Sequence, residues 1–264
     1  MQIADVEVFW LGAITSFLAG LGTSIGALAV FCIRRPTART MIGLISGAAG
    51  VMLAASFFSL LEPAFQYARS GHVLGVGTGE IGVVLGVFAG AAGLYLLHRY
   101  SPHEHFDRGR EGPATTQFSR LWLFIIAITL HNFPEGMAVG VGFAGGNVPN
   151  GIALGLGIGL QNIPEGLAVA VSLLAIGYSR KVGFAVGSLT GLVEPIGGVI
   201  GAAAITLAEP AMPIILGIAA GAMLFIISDE IIPETHRGPH QDLATFALLG
   251  GIVVMMLMQS WFEG

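Results

Sequence analysis

Two consecutive apolar segments carry the same interruption, Leu-x-Asn-x-Pro-Glu-Gly-x-Ala-Val. It appears first as Leu130-His131-Asn132-Phe133-Pro134-Glu135-Gly136-Met137-Ala138-Val139. It returns as Leu160-Gln161-Asn162-Ile163-Pro164-Glu165-Gly166-Leu167-Ala168-Val169. Each copy sets a carboxylate, a ring or amide ligand and a helix-breaking proline inside an otherwise hydrocarbon stretch. A carboxylate at membrane depth is costly unless a cation meets it, so the repeat points to an intramembrane metal site.

The rest of the chain agrees with a membrane setting. Hydrophobic residues make up 54% and charged residues 10% of it, with 40 glycines, whereas a soluble domain carries roughly 25% charged residues. Eight apolar segments follow one another, at 8–33, 40–61, 80–98, 121–144, 151–177, 181–208, 211–232 and 243–262. A spanning helix needs about 20 such residues. The alternation of a membrane barrel is absent, so the expected fold is all-α: one polytopic bundle over 1–264, with a histidine-bearing loop at about 99–120. The first segment is preceded by Asp5 and Glu7 rather than a basic stretch, so it reads as a span and not as a cleaved signal. No basic stripe is present for nucleic acid, and the single cysteine, Cys32, excludes an internal disulfide and a thiolate metal cage.

With eight spans, Arg34, Arg35, Arg39, Arg99, Arg108, Arg110, Arg120, Arg180, Lys181 and Arg237 share one face, and only Arg69 lies on the other. The positive-inside rule makes the basic face cytoplasmic and both termini extracytoplasmic. The opposite face carries Asp5, Glu7, Glu62, Glu80, Glu209 and Glu263. Such a surface either concentrates cations at an outer mouth or consists of ordinary solvated helix ends.

On a helix, His131 and Glu135 lie four residues apart on one face, and Gln161 and Glu165 repeat that spacing. Asn132 to Glu135 and Asn162 to Glu165 are three apart. Two such helices facing each other can hold two cations bridged by the glutamates. Pro134 and Pro164 free the carbonyls of Leu130 and Leu160 and should kink their helices. Glu194, within Gly191-Leu192-Val193-Glu194-Pro195, is a third carboxylate before a proline. With no Lys or Arg inside the spans other than Lys181 at the edge of the sixth, these acids hold protons or bind cations. An imidazole with carboxylates and amides is intermediate in hardness and suits Zn²⁺, Fe²⁺, Mn²⁺ or Cd²⁺ better than Cu(I).

At these residues the chain resembles the ZIP family of divalent metal transporters, in particular its bacterial branch with a short cytoplasmic loop (GufA-like). The resemblance implies a bundle with inverted repeats, metal movement into the cytoplasm across a bacterial inner membrane, and a homodimer. It implies a first metal position at His131, Glu135, Gln161 and Glu165, with Met52 reaching it. The implied second position uses Asn132, Glu135, Asn162, Glu165 and Glu194. Two residues depart from the family pattern: many members have histidine where Gln161 stands, and close relatives have aspartate where Asn162 stands.

The run Ser228-Asp229-Glu230-Ile231-Ile232-Pro233-Glu234-Thr235-His236-Arg237 resembles the family's cytoplasmic exit. There Asp229, Glu230, Glu234 and His236 either pass metal to the cytosol or form a solvated helix end. His103 and His105, with Glu104 and Asp107, read as a flexible loop that either captures metal loosely or does nothing with it. The expected activity is therefore uptake of a divalent transition metal, zinc first. The ion is cargo, no resident cofactor is expected, and membrane lipid is the surrounding partner. An ATP-binding Gly-x-x-x-x-Gly-Lys-Ser/Thr motif is missing. An intramembrane metallo-hydrolase and a non-transporting metal sensor are the alternatives. The first would lack the His-Glu-x-x-His signature, and the second would need the histidine loop.

Overall fold

A computed structural model describes residues 3–32, 37–69, 78–100, 103–105, 109–111, 120–175, 177–207 and 209–263. Arg34, Arg35, Asp107 and Arg108, which entered the orientation and loop readings, lie outside the described residues. The chain is a helical bundle. Helix α1 (Ile3–Leu28) ends in a 3₁₀ turn, Ala29–Phe31, that leaves Cys32 exposed. Helix α2 (Ala38–Ala55) runs through a π turn, Ser56–Leu61, into α3 (Glu62–Arg69), and α4 follows (Thr78–Tyr100). The motif helices are α5 (Arg120–Val141) and α6 (Val148–Ala175). After α7 (Arg180–Gly191) and α8 (Glu194–Leu207) comes α9 (Met212–Ile226). A second π turn, Ile227–Ile231, leads into α10 (Ile232–Thr235), and α11 (Gln241–Glu263) closes the chain.

Among the described residues, seven stretches are long and apolar enough to cross a membrane. These are Val6–Phe31, Ala38–Arg69, Gly79–Leu97, Val148–Leu174, Arg180–Thr206, Met212–Thr235 and Gln241–Phe262. The 22-residue α5, which holds the first motif, is a further helix and is not among these seven.

Three local features add detail to the sequence reading. The apolar run 181–208 is two helices, broken at Leu192 and Val193. The break makes Glu194 the first residue of α8 and puts Pro195 at the second, where a proline's missing N–H costs nothing. The second span continues beyond residue 61 to Arg69, because the π turn accommodates Pro63 instead of ending the helix. Within the histidine loop, His103–His105 (β1) pairs antiparallel with Gly109–Glu111 (β2), setting His103 opposite Glu111 and Glu104 opposite Arg110. Helices α5 and α6 stay helical through Pro134 and Pro164.

The helices pair most closely as α1 with α6, α5 with α8, α4 with α9 and α2 with α11. Each seam is a glycine contact. A Cβ on Gly26 would overlap the Ile163 carbonyl, one on Gly136 the Glu194 carbonyl, one on Gly90 the Ile218 carbonyl and one on Gly50 the Leu248 carbonyl. Between helices in lipid, where burial of apolar surface adds little, such backbone approach supplies the packing. Large apolar side chains such as Trp10, Phe88 and Phe246 point outward.

Pro63 leaves the Ser59 carbonyl without its helical donor, and Asn150 supplies one. Its Nδ2 donates to Ser59 O at 3.0 Å and to Gly142 O at 2.8 Å. Gln259 Nε2 donates to Asn150 Oδ1 at 3.0 Å, and Ser59 Oγ donates to Gln259 Oε1 at 3.0 Å. One buried amide network thus ties the π turn of α2 to α6, α11 and the end of α5. Nearby, Gly145 in the α5–α6 turn has φ of 65°, and any side chain there would overlap the Tyr67 hydroxyl. Arg69, the basic residue assigned to the acidic face, pairs with Glu80 at 2.8 Å.

Candidate metal centre

Because α5 and α6 each place an Asn-x-Pro-Glu run at the same level, their ligating side chains meet between α1 and α8. His131, Asn132, Glu135, Gln161, Asn162 and Glu194 are buried, and Glu165 is half-buried. Glu135 interacts electrostatically with Glu165 and Glu194, and Glu165 with His131. The Gln161 amide lies beside Glu135, although no contact between them meets hydrogen-bond geometry.

Both asparagines are oriented by their nitrogens. Asn132 Nδ2 donates to the Thr190 carbonyl at 2.9 Å. Asn162 Nδ2 donates to the Ala19 carbonyl at 3.0 Å and to Glu194 Oε1 at 2.7 Å, where Thr23 Oγ1 also donates at 3.5 Å. Since those partners are acceptors, the amide orientation is settled by chemistry. The oxygens are what remain. Asn132 Oδ1, Asn162 Oδ1, both Glu135 oxygens, Glu165 Oε2 and Glu194 Oε2 are buried with no hydrogen-bond partner among the described residues. Buried acceptors left so are costly, and a cation or protons would satisfy them. Among the described residues no three of His, Cys, Asp or Glu converge tightly enough to cage a metal by themselves.

His131 Nε2 stands 2.7 Å from Glu230 Oε2, so the structure brings Glu230 into the centre. Glu234, from the following turn, also acts on His131 electrostatically. Asp229 is half-buried and Glu234 exposed, while His236 turns its Nδ1 to the Ile232 carbonyl at 3.1 Å and to Thr235 Oγ1 at 3.0 Å at the end of α10. Met52 is fully buried in the main apolar cluster of α2. The strand residues His103 and His105 lie on the β1–β2 hairpin. An open apolar groove of about 310 Å³ between α2, α6 and α11, lined by Val51, Pro164 and Val254 among others, reaches Gln161.

Sequence reasoning missed Thr23 and the carbonyls of Ala19 and Thr190 as holders of this centre. The available signal was the glycine spacing around Thr23, since Gly22 and Gly26 mark a face of α1 that touches the α6 backbone and Gly20 one that touches Gly191.

Residues 98–259 match the family model described as ZIP Zinc transporter. The chain is 42% identical over 251 residues to the zinc transporter ZIPB of Bordetella bronchiseptica, covering 95% of this chain and 80% of that one. It is 40% identical over 248 residues to the zinc transporter GufA of Myxococcus xanthus, covering 94% and 97%. Against the human zinc transporter ZIP11 it is 35% identical, covering 92% and 94%.

Proposed function

The chain belongs to the ZIP family, and from that membership we propose that it carries a divalent transition-metal ion, zinc first and Fe²⁺, Mn²⁺ or Cd²⁺ with it, across a membrane into the cytoplasm. It is a transporter and not an enzyme. The observation that carries this reading is the set of buried, partnerless oxygens on Glu135, Glu165, Glu194, Asn132 and Asn162. They form an oxygen-rich cradle at the depth where a passing dication would lose its water. The donors are looser than a closed tetrahedral N/S cage, and looseness suits release.

His131, Glu135, Gln161 and Glu165, with Met52, take the first position in this reading. Asn132, Asn162 and Glu194 join the two glutamates on the other side. Glu230 competes with the metal for His131 and receives it on the way to Asp229, Glu234 and His236. Helix α5 is the eighth crossing. The basic residues then lie in the cytoplasm of a bacterial inner membrane, with both termini outside. The order of helix seams supports inverted repeats. Exchanging the first three spans with the last three, and the two motif spans with each other, turns the α1–α6 seam into α5–α8 and the α2–α11 seam into α4–α9. Each of the two π turns, Ser56–Leu61 and Ile227–Ile231, is followed two residues later by a proline, Pro63 or Pro233. Repeats of this kind place the cargo at their interface and open it alternately to each side. A homodimer is the assembly the family resemblance implies, and cross-linking in native membranes tests it.

Uptake into proteoliposomes tests the whole reading, with Zn²⁺, Fe²⁺, Mn²⁺ and Cd²⁺ in competition. Wild type should take up metal and Glu135→Ala should not. Flux unchanged by that substitution would refute the assignment of the centre. Uptake that survives deletion of residues 103–112 would set aside a role for the hairpin as an obligatory sensor.

A further inference from the structure

The glycine contacts divide the helices into two bodies. Helices α1, α5, α6, α7 and α8 meet one another through backbone: a Cβ on Gly26 would overlap the Ile163 carbonyl, one on Gly166 the Thr23 carbonyl and one on Gly140 the Gly198 carbonyl. Helices α2, α4, α9 and α11 do the same, with Gly221 against the Val87 carbonyl and Gly251 against that of Gly47, and the π turn of α2 packs on α9. The bodies face each other where α6 meets α2 and α11 and where α5 meets α9. On that boundary the glycines meet side chains instead. A Cβ on Gly157 would lie 2.7 Å from Met255 Sδ and 3.3 Å from Val51 Cγ1, and one on Gly145 would overlap the Tyr67 hydroxyl. The apolar groove runs along the same boundary, with Val51 and Val254 on one wall and Pro164 on the other. A thioether and methyl groups beside unfilled volume yield more readily than interlocked backbones.

The Asn150 network crosses this boundary. Asn150 belongs to one body, Ser59 and Gln259 to the other. Asn150 Nδ2 reaches over to Ser59 O, and Gln259 Nε2 reaches back to Asn150 Oδ1, both at 3.0 Å. Each body also holds a bond that survives parting: Asn150 Nδ2 with Gly142 O at 2.8 Å, and Ser59 Oγ with Gln259 Oε1 at 3.0 Å. The two crossing bonds are then exchanged for water, which makes them reversible. From these contacts, and resting on the transport reading above, we propose that the Asn150–Ser59–Gln259 network is a latch: it closes the outer mouth of the pathway, and cargo enters when it is undone. In that reading the α5–α6 turn beside Asn150 faces outside. Leu154 and Ile158 follow Asn150 along one face of α6, both fully buried, and Gln161 of the centre comes next, about three helical turns from the latch. A mouth closed by amides carries no net charge that would hold a dication there, so closing and binding are separate tasks.

The test reads the opening directly. Ile158→Cys, in a chain whose exposed Cys32 is replaced by Ser, reports water reaching the column beneath the latch. A membrane-impermeant maleimide is added to intact cells and the labelling rate is measured. Gln259→Met keeps the length of the side chain and removes both of its polar atoms. It should speed labelling at Ile158→Cys about tenfold, the shift in population expected from losing a buried hydrogen-bonded link. Val139→Cys is the control. Val139 is fully buried inside one body, across from Gly155, and its labelling should stay slow with either residue at 259. An unchanged rate at Ile158→Cys overturns the latch, and so does an equal rise at Val139→Cys, which would mean general loosening. Should Gln259→Met not fold, Ser59→Ala decides in the same way. It removes the hydroxyl that orients Gln259 and should speed labelling about threefold. Zinc uptake by the same proteins in proteoliposomes keeps the two readings apart. Labelling that responds as stated while no form takes up Zn²⁺ would strike at the transport reading and leave the latch. Labelling that does not respond while wild type takes up Zn²⁺ would overturn the latch alone.

Discussion

His131 Nε2 and Glu230 Oε2 lie 2.7 Å apart, joining the first motif helix to the π turn that ends α9. Both residues are buried, so this close approach lies in low dielectric, where attraction between opposite charges is weakly screened. In the transport reading, a metal that binds His131 displaces Glu230 from that nitrogen.

Replacing Glu230 by Gln should separate holding from release. The variant should still bind Zn²⁺ in detergent, because His131, Glu135 and Glu165 remain. Its initial uptake rate in proteoliposomes should fall about tenfold, the effect of losing one charged hand-off worth about 1.4 kcal/mol. Wild-type uptake by Glu230→Gln would remove Glu230 from the path.

Gly136 lies where α5 meets α8, against the Glu194 carbonyl. Gly136→Ala should force the two helices apart at the centre and destabilise the bundle by about 3 kcal/mol. A thermal melt in detergent should show a markedly lower transition. Gly93, whose added Cβ would meet nothing within 4 Å, provides the matched control: Gly93→Ala should leave the transition unchanged or raise it slightly.

Asn150 is the hub that satisfies Ser59 O and Gly142 O and accepts from Gln259. Asn150→Ala leaves two buried carbonyls without donors and should cost about 3 kcal/mol. The loss should appear as a lower melting transition. Hydrogen exchange should also become faster in the segment around Ser59, because the network there is what closes the π turn. Protection unchanged at Ser59 would show that the carbonyl finds another donor.

The two Asn-x-Pro-Glu runs were legible as a paired site because their spacing forces ligands to one helix face, and the structure does bury them together. The helical membrane setting was legible from apolar length. Three things were not. Whether Glu194 sits in or at the start of a helix depends on the break at Leu192 and Val193, which periodicity within a uniformly apolar run does not mark. That Glu230 reaches His131 depends on a π turn, whose extra residue rotates the following side chains by an amount the spacing of Asp229 and Glu230 does not reveal. The hydrogen-bond orientation of Asn132 and Asn162 depends on carbonyls of α1 and α7, far away in the chain, that any sequence would supply. Backbone acceptors carry no letter to read.

Cys32 follows the last turn of α1, exposed and chemically solitary. A maleimide added to intact cells or to everted vesicles therefore has a single thiol on this chain to find, with no background to subtract and no residue to engineer. Which preparation becomes labelled reports the sidedness of the first helix, and with it the direction in which the whole pathway faces.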